Sequence, residues 1–340
     1  MNSPAFSGSL TIVVIGLNEA AHLADCFRSI YAAAAYWSGG AQDVVYVDSG
    51  SQDESIELAR RYADRIFALR SPISAAAARD VGLLNATGDY VLFLDGDMEL
   101  DTFWWQCVSE YERNGTFPRS VIGLIGMRHD IYVDETTRLR LGEQENVYRT
   151  GRARTARHIG GALLIRRDIL LKAQGYQPDL RGSEEPDLYA RLRGAGYDIW
   201  EIPCPFIRHH TPMPASWPRR VWRELFSNRL DASFGLAFWR ALTGGYIRGW
   251  LDIYRPTALV WCVDGITLLL LTSARWWGAA FVQVIMLSWL LVTRRTKLFV
   301  TARARLYAAF MSVFLNARRI NRLWMRESLG KVHYDLVDRG

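Results

Sequence analysis

At 340 residues and 50% hydrophobic, the chain is long enough to bury a sizeable core as one large domain or two smaller ones. Its net charge of +6 is uneven, with −6 over residues 1–216 and +12 over residues 217–340. That basic excess sits among tryptophans and long apolar runs, which points to a membrane surface and away from nucleic acid.

Strand-like and helix-like segments alternate through the first third. LTIVVIGL (10–17) is a β-branched run suited to a buried parallel strand, and NEAAHLADCFRSIYAAA then places apolar residues at helical spacing. DVVYVDSGS (43–51) predicts a second strand, SIELARRYAD (55–64) a helix and RIFALR (65–70) a third strand. AAAARDVGLLNA (75–86) predicts another helix, followed by the strand YVLFLD (90–95). This order implies right-handed crossovers and an α/β fold with a mostly parallel sheet. Ligands of such sheets bind at the carboxyl ends of the strands, where Asn18, Asp48 and Asp95 all fall.

Residues 103–160 are less regular, with a strand candidate at SVIGLIGMRHDIYV (120–133) and a basic loop, YRTGRARTARH (148–158). IGGALLIRRDILLKAQGY (159–176) predicts strand then helix, and PDLYARLRGAGYDIWEI (186–202) helix then strand. Beyond Pro218 the composition changes. Residues 216–256 interleave Arg with Trp, Phe and Leu, as interfacial amphipathic helices do. TALVWCVDGITLLLLTSA (257–274) and WWGAAFVQVIMLSWLLV (276–292) follow, the first interrupted by Asp264. They read as a two-helix hairpin, over 257–292, that spans the bilayer, lies in its plane, or is buried as soluble helices. Arginines flank it on both sides while Arg275 alone marks the turn, so a span would leave both ends cytosolic. Residues 293–340 read as a basic amphipathic cytosolic tail.

Cys26, Cys107, Cys204 and Cys262 are scattered with no CxxC pair, as expected of reduced thiols in a cytosolic compartment. No basic segment precedes the first apolar run, so membrane attachment is expected later in the chain.

In VLFLDGDMEL (91–100) an apolar run ends in two aspartates around a glycine. Ionised carboxylates there need a partner or a cation, and hard oxygen ligands suit Mg²⁺ or Mn²⁺ bound together with substrate phosphates. A polar turn closing the strand is the plain alternative. VDSGSQDES (47–55) offers backbone N–H groups and hydroxyls suited to phosphate, although Ser51 or Asp53 equally fits a helix cap. Of His209 and His210, adjacent on a strand, at most one can face such a site. The arginines of RTGRAR (149–154) suit an acceptor phosphate or a solvated loop. Trp104 and Trp105 fit a sugar cleft or the core.

Four pieces carry a resemblance: VVIGLNEAAHLADCFRSI, VVYVDSGSQDES, AAAARDVGLLNATGDYVLFLDGDMEL, and GGALLIRRDILLKAQGYQPDLRGSEEPDLYARLRGAGYDI. Together they resemble an inverting family 2 glycosyltransferase of the GT-A fold, over about residues 10–210. The resemblance implies a transferase domain over 1–215 that takes a UDP- or GDP-type nucleotide-sugar donor. Asn18, Glu19, Asp48, Ser49, Arg79, Asp95 and Gly96 would surround the donor. Asp97 and Asp95 would hold Mg²⁺ or Mn²⁺, with His209 as a further ligand. SEEPDL (183–188) would supply the base, Glu185, with Glu184 as neighbour or stand-in. Two departures stand out: Asp80 replaces the usual asparagine, and Glu185 replaces an aspartate.

Pro186 favours the first helical position and an extended Glu185 before it, where the helix dipole lowers the basicity of Glu185. The expected acceptor is membrane-bound and lipid-linked, in polysaccharide or glycolipid assembly at the cytoplasmic face of the inner (plasma) membrane. Arg149, Arg152 and Arg154 would contact an acceptor phosphate. A polyprenyl-phosphate sugar synthase and a non-catalytic membrane adaptor are the alternatives. An NAD enzyme is disfavoured because the first turn reads GLNEAA, not GxGxxG.

Overall fold

The computed structural model describes residues 6, 8–114, 117–134, 136–137, 139–178, 180, 182–213, 230–273, 275–292, 302–303 and 332–338. They divide into two compact units. The first comprises Met1–Asp179, Ala195–Pro214 and Glu327–Gly340; the second, Leu180–Gly194 and Ala215–Arg326.

The first unit is built on one sheet. Its core is four parallel strands in the order β3 (Arg65–Ser71), β2 (Gln42–Asp48), β1 (Leu10–Gly16), β4 (Tyr90–Asp95). All seven residues of β1 are buried, as the unbroken β-branched run requires of a strand covered on both faces. Helices α1 (Ala20–Ala34), α2 (Ser55–Ala59) and α3 (Ala75–Asn85) make the crossovers. Ser74 caps α3, its hydroxyl accepting the Ala77 N–H at 3.2 Å.

Beyond β4 the sheet turns mixed. β9 (Leu163–Arg166) pairs antiparallel with both β4 and β6 (Val121–Val133). β10 (Asp198–Pro212) runs parallel to β6, and β5 (Met98–Leu100) closes the edge antiparallel to β10. β7 (Arg140–Gln144) and β8 (Arg154–Thr155) pair with β6 and β10. Helices α4 (Trp104–Arg113) and α5 (Arg167–Lys172) complete the unit.

One feature decides between alternatives the sequence left open, and two others differ from the sequence reading. Trp104 and Trp105 are fully buried, with Trp104 against Phe206 and Trp105 against Trp37, so they belong to the core. That packing seats α4 on β10 and brings Cys107 to Cys204, which are joined by a disulfide and are not free thiols. The expected tail also divides: His333–Val337 form β11, antiparallel to β3 at the sheet edge, with Asp335 paired to Arg70. The remainder of 293–340, apart from residues 302–303, 332 and 338, lies outside the described residues.

The second unit is helical: α6 (Glu184–Gly194), α7 (Leu230–Thr243), α8 (Ile247–Ile253), α9 (Arg255–Thr272) and α10 (Trp276–Val292). The α6 segment, assigned from sequence to 1–215, thus groups with the helices. Residues 216–229, the first part of the expected interfacial stretch, lie outside the described residues. Asp187 of α6 is fully buried, accepting from Arg191 Nε at 2.9 Å, Arg240 Nε at 3.3 Å and the Tyr246 hydroxyl at 2.8 Å. Burial opposes its ionisation, but the two guanidiniums and the phenol outweigh that and hold its carboxyl below the ordinary value. Trp250, Phe234, Phe238 and Trp261 pack around this cluster's helices. In α9 and α10 many large apolar side chains face outward, among them Leu268, Leu269, Trp277 and Phe281.

Candidate nucleotide-sugar site

The two turns that follow β1 and β2 are laced together. Asn18, in the left-handed region at φ 59°, donates its N–H to Ser51 Oγ at 2.8 Å and accepts the Gln52 N–H on Oδ1 at 2.8 Å. The Glu19 N–H meets Ser55 Oγ at 3.0 Å, and the Ala20 N–H meets Asp53 Oδ2 at 3.0 Å. Asp48 is buried at the end of β2. Its Oδ2 accepts the N–H groups of Gly50 and Ser51 at 2.8 Å each, and its Oδ1 the Tyr46 hydroxyl at 3.2 Å. Burial and the adjacent Asp48 push the Tyr46 phenol far above its ordinary range, so it stays a donor. Gly50 takes φ +92°, a conformation that lets this turn close tightly.

Asp95 ends β4 and Asp97 leads into β5. The Gly96 N–H donates to Ile15 O at 2.8 Å, tying the turn between them to β1. Arg79 of α3 is buried and donates Nη2 to Asp95 Oδ1 at 2.9 Å, its guanidinium 5.4 Å from the Tyr176 ring centre. Asp80, fully buried, accepts the Tyr176 N–H at 2.7 Å and so fixes the ring that supports Arg79. Gly161 closes this cluster from above β9. A Cβ there would overlap Asp95 Oδ2 and lie 2.9 Å from Arg79 Nη2.

A cavity of about 290 Å³ opens at these strand ends. Ile15, Leu17 and Ile73 give it an apolar wall, and Glu19, Ser49, Asp95 and Asp97 give it polar groups. Of the residues expected around a donor, Glu19, Ser49 and Asp95 line it; Gly96 and Arg79 contact the lining. Asn18 and Asp48 instead hold the turns that form it.

His209 lies across from Asp97. Its Nε2 is 3.3 Å from Asp97 Oδ2 and its Nδ1 is 3.2 Å from Asp130 Oδ1. Burial alone would depress its pKa; the carboxylates of Asp130 and Asp97 outweigh that and carry it up to about 9. His210 points the other way. It meets Glu99 at 2.7 Å and stacks on His22 with ring centres 4.6 Å apart. The His210 contact holds the Glu99 carboxyl below the ordinary value.

The donor set suits a hard divalent cation. Asp97 Oδ1 is a buried acceptor with no hydrogen-bond partner among the described residues, beside a second carboxylate and an imidazole. No cluster of three ligands is drawn together among the described residues. That is compatible with a site in which one or two carboxylates share the ion with substrate phosphates.

Two groups depart from expectation. Arg154 is ion-paired with buried Glu201, so it is withdrawn from any phosphate clamp, while Arg149 and Arg152 are exposed. Glu184 and Glu185 both lie inside the first turn of α6, in the second unit. The helix begins before Pro186 because the third helical residue has no intrahelical N–H bond to lose; the first such bond is Asp187 N–H to Ser183 O at 3.1 Å. Glu185 is therefore helical, not extended. Buried Glu184 accepts the Gly182 N–H at 2.7 Å. Asp130, Arg128 and Tyr176 were missed by sequence reasoning, and only the strand alternation of Arg128 and Asp130 hinted at a shared face.

The parallel core, the carboxylate pair at a strand end and the mixed extension define a GT-A-type α/β fold. Residues 11–172, just under half of the chain, match the profile of "Glycosyl transferase family 2". Over 211 residues it is 27% identical to succinoglycan biosynthesis protein ExoA of Rhizobium meliloti, covering 59% of this chain and 63% of that protein. Over 66 residues it is 35% identical to a cholesterol galactosyltransferase of Borreliella burgdorferi, covering 18% of each. The chain thus spans less than two thirds of the length of these curated relatives. Among solved structures, a mannosyltransferase of Pyrobaculum calidifontis in complex with GDP-Man and Mn²⁺ superposes with a TM-score of 0.55 at 17% identity, covering 92% of this chain and 89% of that one. TarS 1–349 of S. aureus gives 0.53 at 14% identity, covering 93% and 91%. These likenesses establish the fold.

Proposed function

We propose that the protein is an inverting glycosyltransferase that moves a sugar from a nucleoside-diphosphate donor to a membrane-bound, lipid-linked acceptor at the cytoplasmic face of the membrane. The observation that carries this reading is the cavity at the sheet's carboxyl edge, where Asp95 and Asp97 converge with Glu19 and Ser49. Its apolar wall suits a base and its polar side a ribose and diphosphate. Arg79 holds Asp95 in place through an ion pair that is itself packed on Tyr176. Asp97, Asp95 and His209 would hold Mg²⁺ or Mn²⁺, which when bound stabilises the departing diphosphate as a Lewis acid. Glu185 is the proposed base: its carboxylate would accept the proton of the acceptor hydroxyl as that oxygen attacks the anomeric carbon. The family-profile match over residues 11–172 supports the reaction class, and the outward-facing apolar residues of α9 and α10 support a membrane acceptor.

The test is a donor screen on detergent-purified protein. UDP- and GDP-sugars are supplied with Mn²⁺ or Mg²⁺, and released nucleotide is measured with and without membrane lipid extract and polyprenyl phosphate. Metal-dependent release, abolished in Asp97→Ala, is expected. Activity retained in Glu185→Gln with polyprenyl phosphate would redirect the reading to a phosphate acceptor, which is already anionic. No turnover with any donor and acceptor would refute the transferase reading.

A further inference from the structure

His209 sits on β10, between β6 on one side and β5 on the other. In the parallel register His209 faces Asp130 of β6, and in the antiparallel register it faces Met98, one residue after Asp97. Its ring therefore bridges two neighbouring strands, with Nδ1 toward Asp130 and Nε2 toward Asp97. Asp130 is 6% exposed and is itself clamped by Arg128, whose Nε and Nη2 reach its two oxygens at 2.5 and 3.1 Å. Arg128 and Asp130 are two apart on one strand, so they share a face. The chain of contacts runs Arg128, Asp130, His209, Asp97, and it ends at the unpartnered Asp97 Oδ1.

A carboxylate on one imidazole nitrogen fixes which nitrogen carries the proton and which way the ring faces. With Nδ1–H given to Asp130, Nε2 is the nitrogen that can bind a cation once the cation displaces its proton to solvent, and Nε2 is the one that faces Asp97.

We infer that Asp130, braced by Arg128, is a positioning residue that locks the ring of His209, the proposed nitrogen ligand, with Nε2 directed at the Asp95–Asp97 turn. This rests on the proposed metal-assisted transfer. Nitrogen ligation favours Mn²⁺ over Mg²⁺, because imidazole is a poorer partner for the harder ion. Removal of such an outer partner typically weakens metal binding by about 10–100-fold.

The experiment uses the full chain in detergent with Mn²⁺, in the presence of UDP and, separately, GDP. Mn²⁺ affinity is measured by calorimetry, and ¹⁴N coupling to bound Mn²⁺ by electron spin-echo spectroscopy. The wild type is expected to show imidazole ¹⁴N coupling that is absent from His209→Gln. Asp130→Ala should bind Mn²⁺ about 10–100-fold more weakly with that coupling reduced. In Asp130→Asn the amide oxygen still accepts Nδ1–H, so the coupling should persist at intermediate affinity. If wild-type protein binds Mn²⁺ without ¹⁴N coupling, the inference is overturned, and that spectrum needs no variant to fold. Wild-type affinity and coupling in Asp130→Ala would overturn it equally, while the transferase reading stands. If the wild type binds no Mn²⁺ with either nucleotide, the inference falls together with the metal-assisted reading.

Discussion

Asp95 is held directly from two sides, and a third residue supports the hold. Arg79 neutralises it, Tyr176 supports Arg79, and the Gly161 backbone closes over both. Gly161→Ala inserts a methyl where Asp95 Oδ2 stands, so the carboxylate or the loop must move. Overpacking of this kind costs about 1–3 kcal/mol. We expect the thermal midpoint to fall modestly and nucleotide affinity to fall at least tenfold, read by calorimetry with UDP and GDP. Unchanged affinity would show that the cluster tolerates movement and is not part of the donor pocket. A three-residue motif, Asp-Gly-Asp, announced Asp95 and Asp97 in the sequence. Nothing local announced Tyr176 or Gly161, which reach them only through the sheet's folding. Asp80 is similar: in the sequence it stood out only as a departure from the family pattern, whereas its carboxylate receives a backbone N–H and positions Tyr176.

The elements of the parallel core were legible because each carries a continuous apolar run or a helical period, with polar turns between. The mixed half was less so. β5 has only three residues, and β7 and β8 are exposed or half-buried pieces whose pairing depends on β6 and β10. The Cys107–Cys204 bridge joins residues 97 apart, a separation at which spacing carries no signal. Helix α6 shows a second limit. An acid in the first turn, as Asp187 is, ordinarily just complements the helix dipole, yet Asp187 is the centre of a buried ionic cluster linking α6 to α7 and to Tyr246, just before α8. Asp187→Ala would leave the half-buried Arg191 and Arg240 without the carboxylate they share, a loss of about 3 kcal/mol. Urea denaturation at neutral pH should show it as a large drop in midpoint. The folded-state pKa of Asp187 lies below its unfolded value. Its contribution is therefore fully present above the unfolded value of about 3.9 and is lost as pH falls through the folded one. The gap between wild type and variant should accordingly narrow in strong acid. A gap independent of pH would mean that packing, not charge, sets the loss.

At the scale of the whole molecule, the question is what covers α9 and α10. α9 is 18 residues long, with mean hydropathy 1.3 and only 11% of its residues buried, which by length and composition is enough to cross a bilayer. α10 is slightly shorter. The acid of the hairpin is paired: Asp264 receives Arg303 Nη2 at 2.7 Å from beyond the hairpin and Gln283 Nε2 at 3.1 Å from within it, and Gln283 also donates to Thr267. Neutralising an acid within an apolar hairpin lets the remaining surface be uniformly apolar, as contact with lipid requires. Leu268 and Leu269 are 64% and 66% exposed, so substituting them leaves the hairpin's own packing nearly intact. In water, Leu268→Arg with Leu269→Arg should change stability by no more than about 0.5 kcal/mol per site. In a bilayer each arginine costs up to about 3 kcal/mol. Vesicle flotation should therefore find the wild type with the lipid and the double variant largely free, at similar thermal midpoints in detergent. Equal flotation of the two would place this face outside the bilayer and remove the hairpin from the account of how the protein meets a membrane acceptor.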